Sequence, residues 1–223
     1  VMFTKEIFNQ TFRSHAKGAD KFNDTSALGL SWRPGRDPVA YEIRDCLIDG
    51  SKGDEGLKLS FCYDVYVADS KIIGGTEDCV DIVRGGNIQF VNCKFISTNT
   101  KQHITVKGGA KDISFLNCEF INDYSRWWDG ACIDLGNWTD YDDVTRPMVR
   151  NVLIKDCKMV DMERNLLARV LHSQVPTATN SDGKIFKVPR VALVVFWLGQ
   201  RLGYFGKRRR MPKEDLRVYD VEL

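Results

Sequence analysis

The chain has 223 residues, a formal net charge of +2, 28% charged residues and 43% hydrophobic residues. That length suffices for one domain with a sizeable core. The near balance of charge excludes a strong field for nucleic acid, and no run approaches the roughly 20 apolar residues that cross a bilayer.

Residues 1–39 are polar and mixed. TKEIFNQTFRSHA (4–16) reads as a short helix and SWRPGRDP (31–38) as a loop. The amino terminus lacks the basic region and apolar run of a signal peptide. Stacked repeats expose their core at both ends, so this segment is expected to cap the first coil.

From residue 40 a phrase recurs: YEIRDCLI, VYVADSKII, IQFVNCKFI, ISFLNCEFI, VLIKDCKMV. Aligned, it places Asp45, Asp69, Asn92, Asn117 and Asp156 in one column, at steps of 24, 23, 25 and 39 residues. Cys46, Ser70, Cys93, Cys118 and Cys157 form the next column. Ile88 and Phe90 alternate with Gln89 and Val91, which is strand periodicity. Asn or Asp then marks a bend, since both tolerate left-handed backbone. Each phrase therefore reads as strand, bend, strand.

A third strand completes each rung: GLKLSF (56–61), CVDIVRG (79–85), HITVKGG (103–109) and CIDLGNW (132–138). Leu57, Val80, Ile104 and Ile133 align inward, and two places on so do Leu59, Ile82, Val106 and Leu135. The steps of 23, 24 and 29 agree with the first ladder until an insertion intervenes. A fixed period in this range means stacked structural repeats. The expected architecture is all-β, a right-handed parallel β-helix of about five rungs over residues 40–165, with an N-terminal cap (1–39) and an irregular C-terminal capping or docking segment (166–223).

Two insertions lie on one side of the stack, NDYSRWWDG (122–130) and NWTDYDDVTRPM (137–148). Beyond residue 166 the period is lost. VPRVALVVFWLGQRLGYF (188–205) followed by KRRR (207–210) fits a cap over the lower end, a docking or trimer contact, or a membrane-surface segment. The seven cysteines show no CxxC pair and no zinc-type spacing. Most sit in inward ladders and are expected to be free, buried thiols.

The rung period, the Asn/Asp bend column and the apolar ladders resemble the pectate-lyase-like β-helix superfamily, which includes polysaccharide lyases, glycoside hydrolases and viral tailspikes. The resemblance covers about residues 40–165 and implies a polysaccharide partner and, for a tailspike-like protein, a homotrimer. Nucleic acid is not expected, because the basic residues line no single outward column and no recognition motif is present. It implies action outside the cell or as part of a virion. Fold alone does not settle chemistry.

The residues between the inward ladders are expected to face outward. Lys58, Asp81, Thr105 and Asp134 then form one column, with Cys79, His103 and Cys132 behind it and Ser60, Val83, Lys107 and Gly136 ahead. At about 4.8 Å per rung, Asp81, His103, Thr105, Lys107 and Asp134 share a patch roughly 10–15 Å across. Cleavage of a uronan by β-elimination needs a base, and a cation to neutralise the sugar carboxylate. The resemblance implies Lys107 as base, aided by Arg84 or Arg126, and calcium held by Asp78, Asp81 and Asp134. The hydrolytic alternative uses two carboxylates, Asp81 and Asp134. In the insertions, Trp127, Trp128, Trp138 and Tyr141 offer faces on which sugar rings stack, and Asp129 offers a hydroxyl partner. A third reading is a non-catalytic glycan-binding or structural β-helix of a viral tail or adhesin.

Overall fold

The computed structural model describes residues 3–15, 25–33, 35–98, 102–121, 132–136, 149–160, 168–170, 177–179, 185–187 and 216–219. The described residues form strands and turns, with no helix. The first coil comprises β1 (Phe3–Phe8), β2 (Thr11–Arg13) and β3 (Ser26–Ser31). Next come β4 (Val39–Arg44), β5 (Leu47–Asp49) and β6 (Glu55–Ser60), then β7 (Tyr63–Ala68), β8 (Lys71–Ile73) and β9 (Asp78–Val83). They are followed by β10 (Gly86–Val91), β11 (Lys94–Ile96) and β12 (Gln102–Lys107), then β13 (Lys111–Leu116), β14 (Glu119–Ile121) and β15 (Ile133–Leu135). The last strands are β16 (Arg150–Lys155), β17 (Lys158–Val160), β18 (Ala168–Val170), β19 (Thr177–Thr179), β20 (Ile185–Lys187) and β21 (Leu216–Tyr219).

The first strands of the coils stack into one sheet, the second strands into another and the third strands into a third. Neighbouring strands pair in parallel, so the chain is a parallel β-solenoid. Its regular part, residues 39–135, makes about four turns. The register matches the expected ladders: Leu57 lies beside Val80, Val80 beside Ile104 and Ile104 beside Ile133.

Residues 4–13 are not helical, and the segment expected to cap the coil supplies a coil itself. Ile7 sits in register with Ile43, Phe12 with Ile48, and Leu28 with Leu57. These residues extend the inward ladders by one rung, and burying them outweighs the weak local helix signal. At the other end, β18, β19 and β20 pair antiparallel, and β21 returns to the first sheet beside β16. Residues 188–205 and 207–210 lie outside the described residues. No helix among the described residues is long and apolar enough to cross a membrane.

The core is a set of side-chain stacks. Phe90 lies flat on Phe115, with ring centroids 5.2 Å apart, and Phe95 lies on Phe120 at 5.2 Å. Repeats in register place like over like, which gives these rings their stacked geometry.

Two polar ladders fix the corners. At the bend between the first and second sheets, Asn9, Asp45, Asp69, Asn92, Asn117 and Asp156 all have φ between 50° and 54°. Asn92 Nδ2 donates to Asp69 Oδ1 at 2.9 Å, and Asn117 Nδ2 donates to Asn92 Oδ1 at 2.8 Å. A second ladder, not evident in the sequence, opens the first-sheet strands. Asp64, Asn87, Asp112 and Asn151 have φ between 51° and 56°. Asn87 donates to Asp64, and Asn151 to Asp112 at 2.6 Å.

All seven cysteines are free and buried. In the bend column each thiol donates to the carbonyl two residues earlier, as Cys93 does to Val91 at 3.4 Å and Cys118 to Leu116 at 3.4 Å. Ser70 makes the same bond to Ala68 at 2.7 Å, so the column selects a small donor.

Candidate functional site

The outer face of the third sheet gathers the acidic and basic residues of β6, β9, β12 and β15. One column holds Glu55, Asp78 and Gln102; the next holds Lys58, Asp81, Thr105 and Asp134; the next holds Ser60, Val83 and Lys107. The inward partners Val80, Ile82, Ile104 and Val106 are fully buried. Unlike an ordinary solvated sheet face, this outer face is also closed: Glu55 is 1% exposed, Asp78 3%, Asp81 1% and Asp134 2%. Buried carboxylates must be paired or protonated, and both solutions occur.

Asp81 is paired. Lys107 Nζ lies 2.9 Å from its Oδ1, and Lys58 Nζ lies 3.3 Å from its Oδ2. No N–H is well aligned on Oδ1, so charge carries that contact; at such separation the attraction is strong even off the ideal angle. Lys58 also reaches Glu55 Oε1 at 3.1 Å. Burial alone would lower the proton affinity of Lys107. The Asp81 charge outweighs burial and holds Lys107 above the ordinary lysine value.

Asp78 is the carboxyl whose proton affinity burial raises. Burial first, then the neighbouring Asp81 charge, push its carboxyl well above the usual range, and Lys107 and Thr105 offset only part of this. Its Oδ1 accepts from Gln102 Nε2 at 2.6 Å and from Thr105 Oγ1 at 3.1 Å.

Gln102 Nε2 also donates to Thr105 Oγ1 at 2.6 Å. Residues three apart therefore share the outer face, which breaks strict alternation at the start of β12. His103 pays the geometric consequence. It is 2% exposed, its ring meets Phe120 edge-on at 5.8 Å, and its Nε2 lies 3.0 Å from the Ile121 carbonyl. A carbonyl only accepts, so Nε2 carries the proton. His103 faces the corner beside the second sheet, in a column with Cys79, whose thiol donates to Ile96 O at 3.3 Å. The expected outward histidine base is corrected accordingly: the strand distortion turns it away from the acids.

Arg84 is exposed at the next corner, with φ 61° and its guanidinium 5.0 Å over the Phe61 ring. That places it over an aromatic ring rather than over the acids. Asp134 keeps its expected column, two rungs from Asp81 with Thr105 between them. Arg126, Trp127, Trp128, Asp129, Trp138 and Tyr141 lie outside the described residues.

The expected calcium ligands lie in neighbouring columns, Asp78 beside the column of Asp81 and Asp134. Two ammonium groups already occupy the Asp81 carboxylate, and Asp78 favours its proton. Among the described residues, no group of three or more His, Cys, Asp or Glu side chains comes together that could hold a metal ion. Two members of the cluster escaped sequence reasoning, Glu55 and Gln102. Both lie three residues before the acidic column, and alternation assigns that position inward; only the break in alternation brings it out.

No protein-family model and no curated protein matches this sequence.

Proposed function

We propose that this chain cleaves a glycan by acid–base chemistry on the outer face of the third sheet, with Asp78 as proton donor. The observation that supports this is the contrast between two neighbouring carboxyls. Burial and the Asp81 charge push the Asp78 carboxyl well above the usual range, and Asp81 is clamped by two ammonium groups. Environments that push paired carboxyls apart are those of an acid and its charged partner. Glycoside hydrolysis needs such a pair. With Asp78 as acid, the base is Asp81 or Asp134, which share the neighbouring column.

The glycan rests on the resemblance to pectate-lyase-like β-helices, which is an analogy of fold. Lys58 and Lys107 are the partly open members of the cluster, with side chains 21% and 25% exposed. An acidic sugar would compete for these ammonium groups and free Asp81 as it binds. Hydrolysis fits better than β-elimination, because a lysine base must lose its proton and Lys107 is held charged.

The burial of the carboxylates favours a second reading, a non-catalytic glycan-binding or structural module acting outside the cell or on a virion. There the charged cluster only locks the face shut. One experiment separates the readings. The protein is incubated with polygalacturonate, alginate, hyaluronan and a neutral glucan, with and without chelator. Reducing ends and the absorbance of unsaturated products are followed. Reducing ends without that absorbance, lost in Asp78→Asn, support hydrolysis. Unsaturated product restores the lyase reading with Lys107 as base. Binding without turnover supports the module, and size exclusion then shows whether it forms a trimer.

A further inference from the structure

We propose a binding strip for a carboxylated polysaccharide on the outer corner where the third sheet turns into the first. It is separate from the acidic cluster and rests on the glycan reading above. The strip begins with two aromatics of one coil. Phe61 takes a left-handed turn at φ 60°, and Tyr63 opens β7 with 45% of its surface exposed. The next three coils each contribute one exposed cation: Arg84, then Lys111, then Arg150.

Register fixes the line. Tyr63 lies beside Gly86, Gly86 beside Lys111, and Lys111 beside Arg150. Gly86 leaves a gap that the lysine stem uses. A Cβ there would stand 3.1 Å from Lys111 Cγ and 3.6 Å from its Cε. The Lys111 chain therefore runs back along the corner toward Tyr63. Arg84 stacks its guanidinium on Phe61 at 5.0 Å. Neither the ion pairs nor any other contact among the described residues gives Arg84, Lys111 or Arg150 a carboxylate.

The two acids of this corner, Asp64 and Asp112, each accept an amide from Asn87 or Asn151. Three cations thus face two capped carboxylates. One cation per coil gives a charge repeat of about 4.8 Å, comparable with the length of a sugar residue that carries one carboxylate. Tyr63, at the end of the line, offers an exposed aromatic ring to a sugar. A net charge of +2 supplies no general attraction for nucleic acid.

The test compares polygalacturonate with its methyl-esterified form, which has the same backbone without the charge. Binding is read by affinity electrophoresis on the Asp78→Asn chain, so that turnover plays no part. The expected result is retardation by the free acid but not by the ester. Combined Arg84→Gln, Lys111→Gln and Arg150→Gln replacement weakens it about tenfold, from three exposed ion pairs. Tyr63→Ala weakens it several-fold without changing the salt dependence. Equal binding of acid and ester, an undiminished triple variant, or equal retardation by single-stranded DNA would each overturn the strip. Turnover by the parent chain with an inert strip would overturn only the strip, and binding at the strip without turnover would overturn only the acid–base reading.

Discussion

The Lys107 ammonium lies 2.9 Å from Asp81, one coil away, and both groups are largely withdrawn from water. The contact exists because Lys107 and Asp81 occupy diagonal places on neighbouring parallel strands, Thr105 being the direct neighbour of Asp81 and Val83 that of Lys107. It gives the outer face of the third sheet both its charge balance and its pH dependence.

Lys107→Met leaves Asp81 buried with Lys58 alone. The expected cost is about 1–3 kcal/mol, the penalty of stranding a buried charged acceptor. The raised affinity of Lys107 for its proton stabilises the fold below the ordinary lysine range. That contribution disappears as pH climbs through the raised value. Denaturant titrations between neutral and strongly alkaline pH should show the parent losing its advantage over Lys107→Met. A constant difference across that range contradicts the pairing.

The Asp78 carboxyl is also raised, so its contribution too falls as pH rises, but in a window that starts in the acid range. In the unfolded chain it ionises near pH 4, whereas in the fold burial and the Asp81 charge raise its proton affinity. Above that pH, folding must take up a proton, and stability falls as pH rises toward the folded value. Asp78→Asn removes this load and keeps the shape. It should match or exceed the parent in stability at neutral pH, with the difference vanishing in acid. Destabilisation at neutral pH would mean that the carboxylate form is needed.

Asn117 unites a hydrogen bond and a left-handed backbone. Asn117→Gly loses only the bond, worth about 1 kcal/mol. Asn117→Ala adds a left-handed cost of about 1–2 kcal/mol. Thermal denaturation of the two variants should rank alanine below glycine, and the reverse order would discount the φ of 51°.

The bend-column thiols are expected to be silent toward a water-soluble thiol reagent until denaturant is added, since all seven cysteines are buried. Cys118→Ser should be tolerated within about 1 kcal/mol, because a hydroxyl can make the same donor bond to Leu116 as Ser70 makes to Ala68. Rapid labelling of the native protein would contradict the packing.

The bend column and the third-strand ladders were legible because like residues recur at one spacing and alternate as a strand must. Leu57, Val80, Ile104 and Ile133 stand in register as their spacing implies. The first coil was obscured because its step to the next, from Asn9 to Asp45, is longer than a standard repeat and its phrase is polar. The second ladder was hidden because Asp64, Asn87, Asp112 and Asn151 sit at strand starts, where no apolar pattern draws attention to them. In the site, alternation placed Asp81, Thr105 and Asp134 on the outer face. It failed for His103 because Gln102 bonds to both Asp78 and Thr105 and takes the outer place. The burial of that face was not legible, because a column of charged residues reads as solvated surface until its partners are known.

The protonation of Asp78 is the claim that the acid–base reading stands on, and carboxyl carbon-13 NMR reads it directly. The aspartates would be labelled and titrated from about pH 4 upward, with Asp78→Asn identifying the resonance. One carboxyl that stays protonated at neutral pH and is absent from Asp78→Asn is the predicted result. An Asp78 carboxyl that titrates near pH 4 with the exposed aspartates would contradict it and leave the third sheet without its acid.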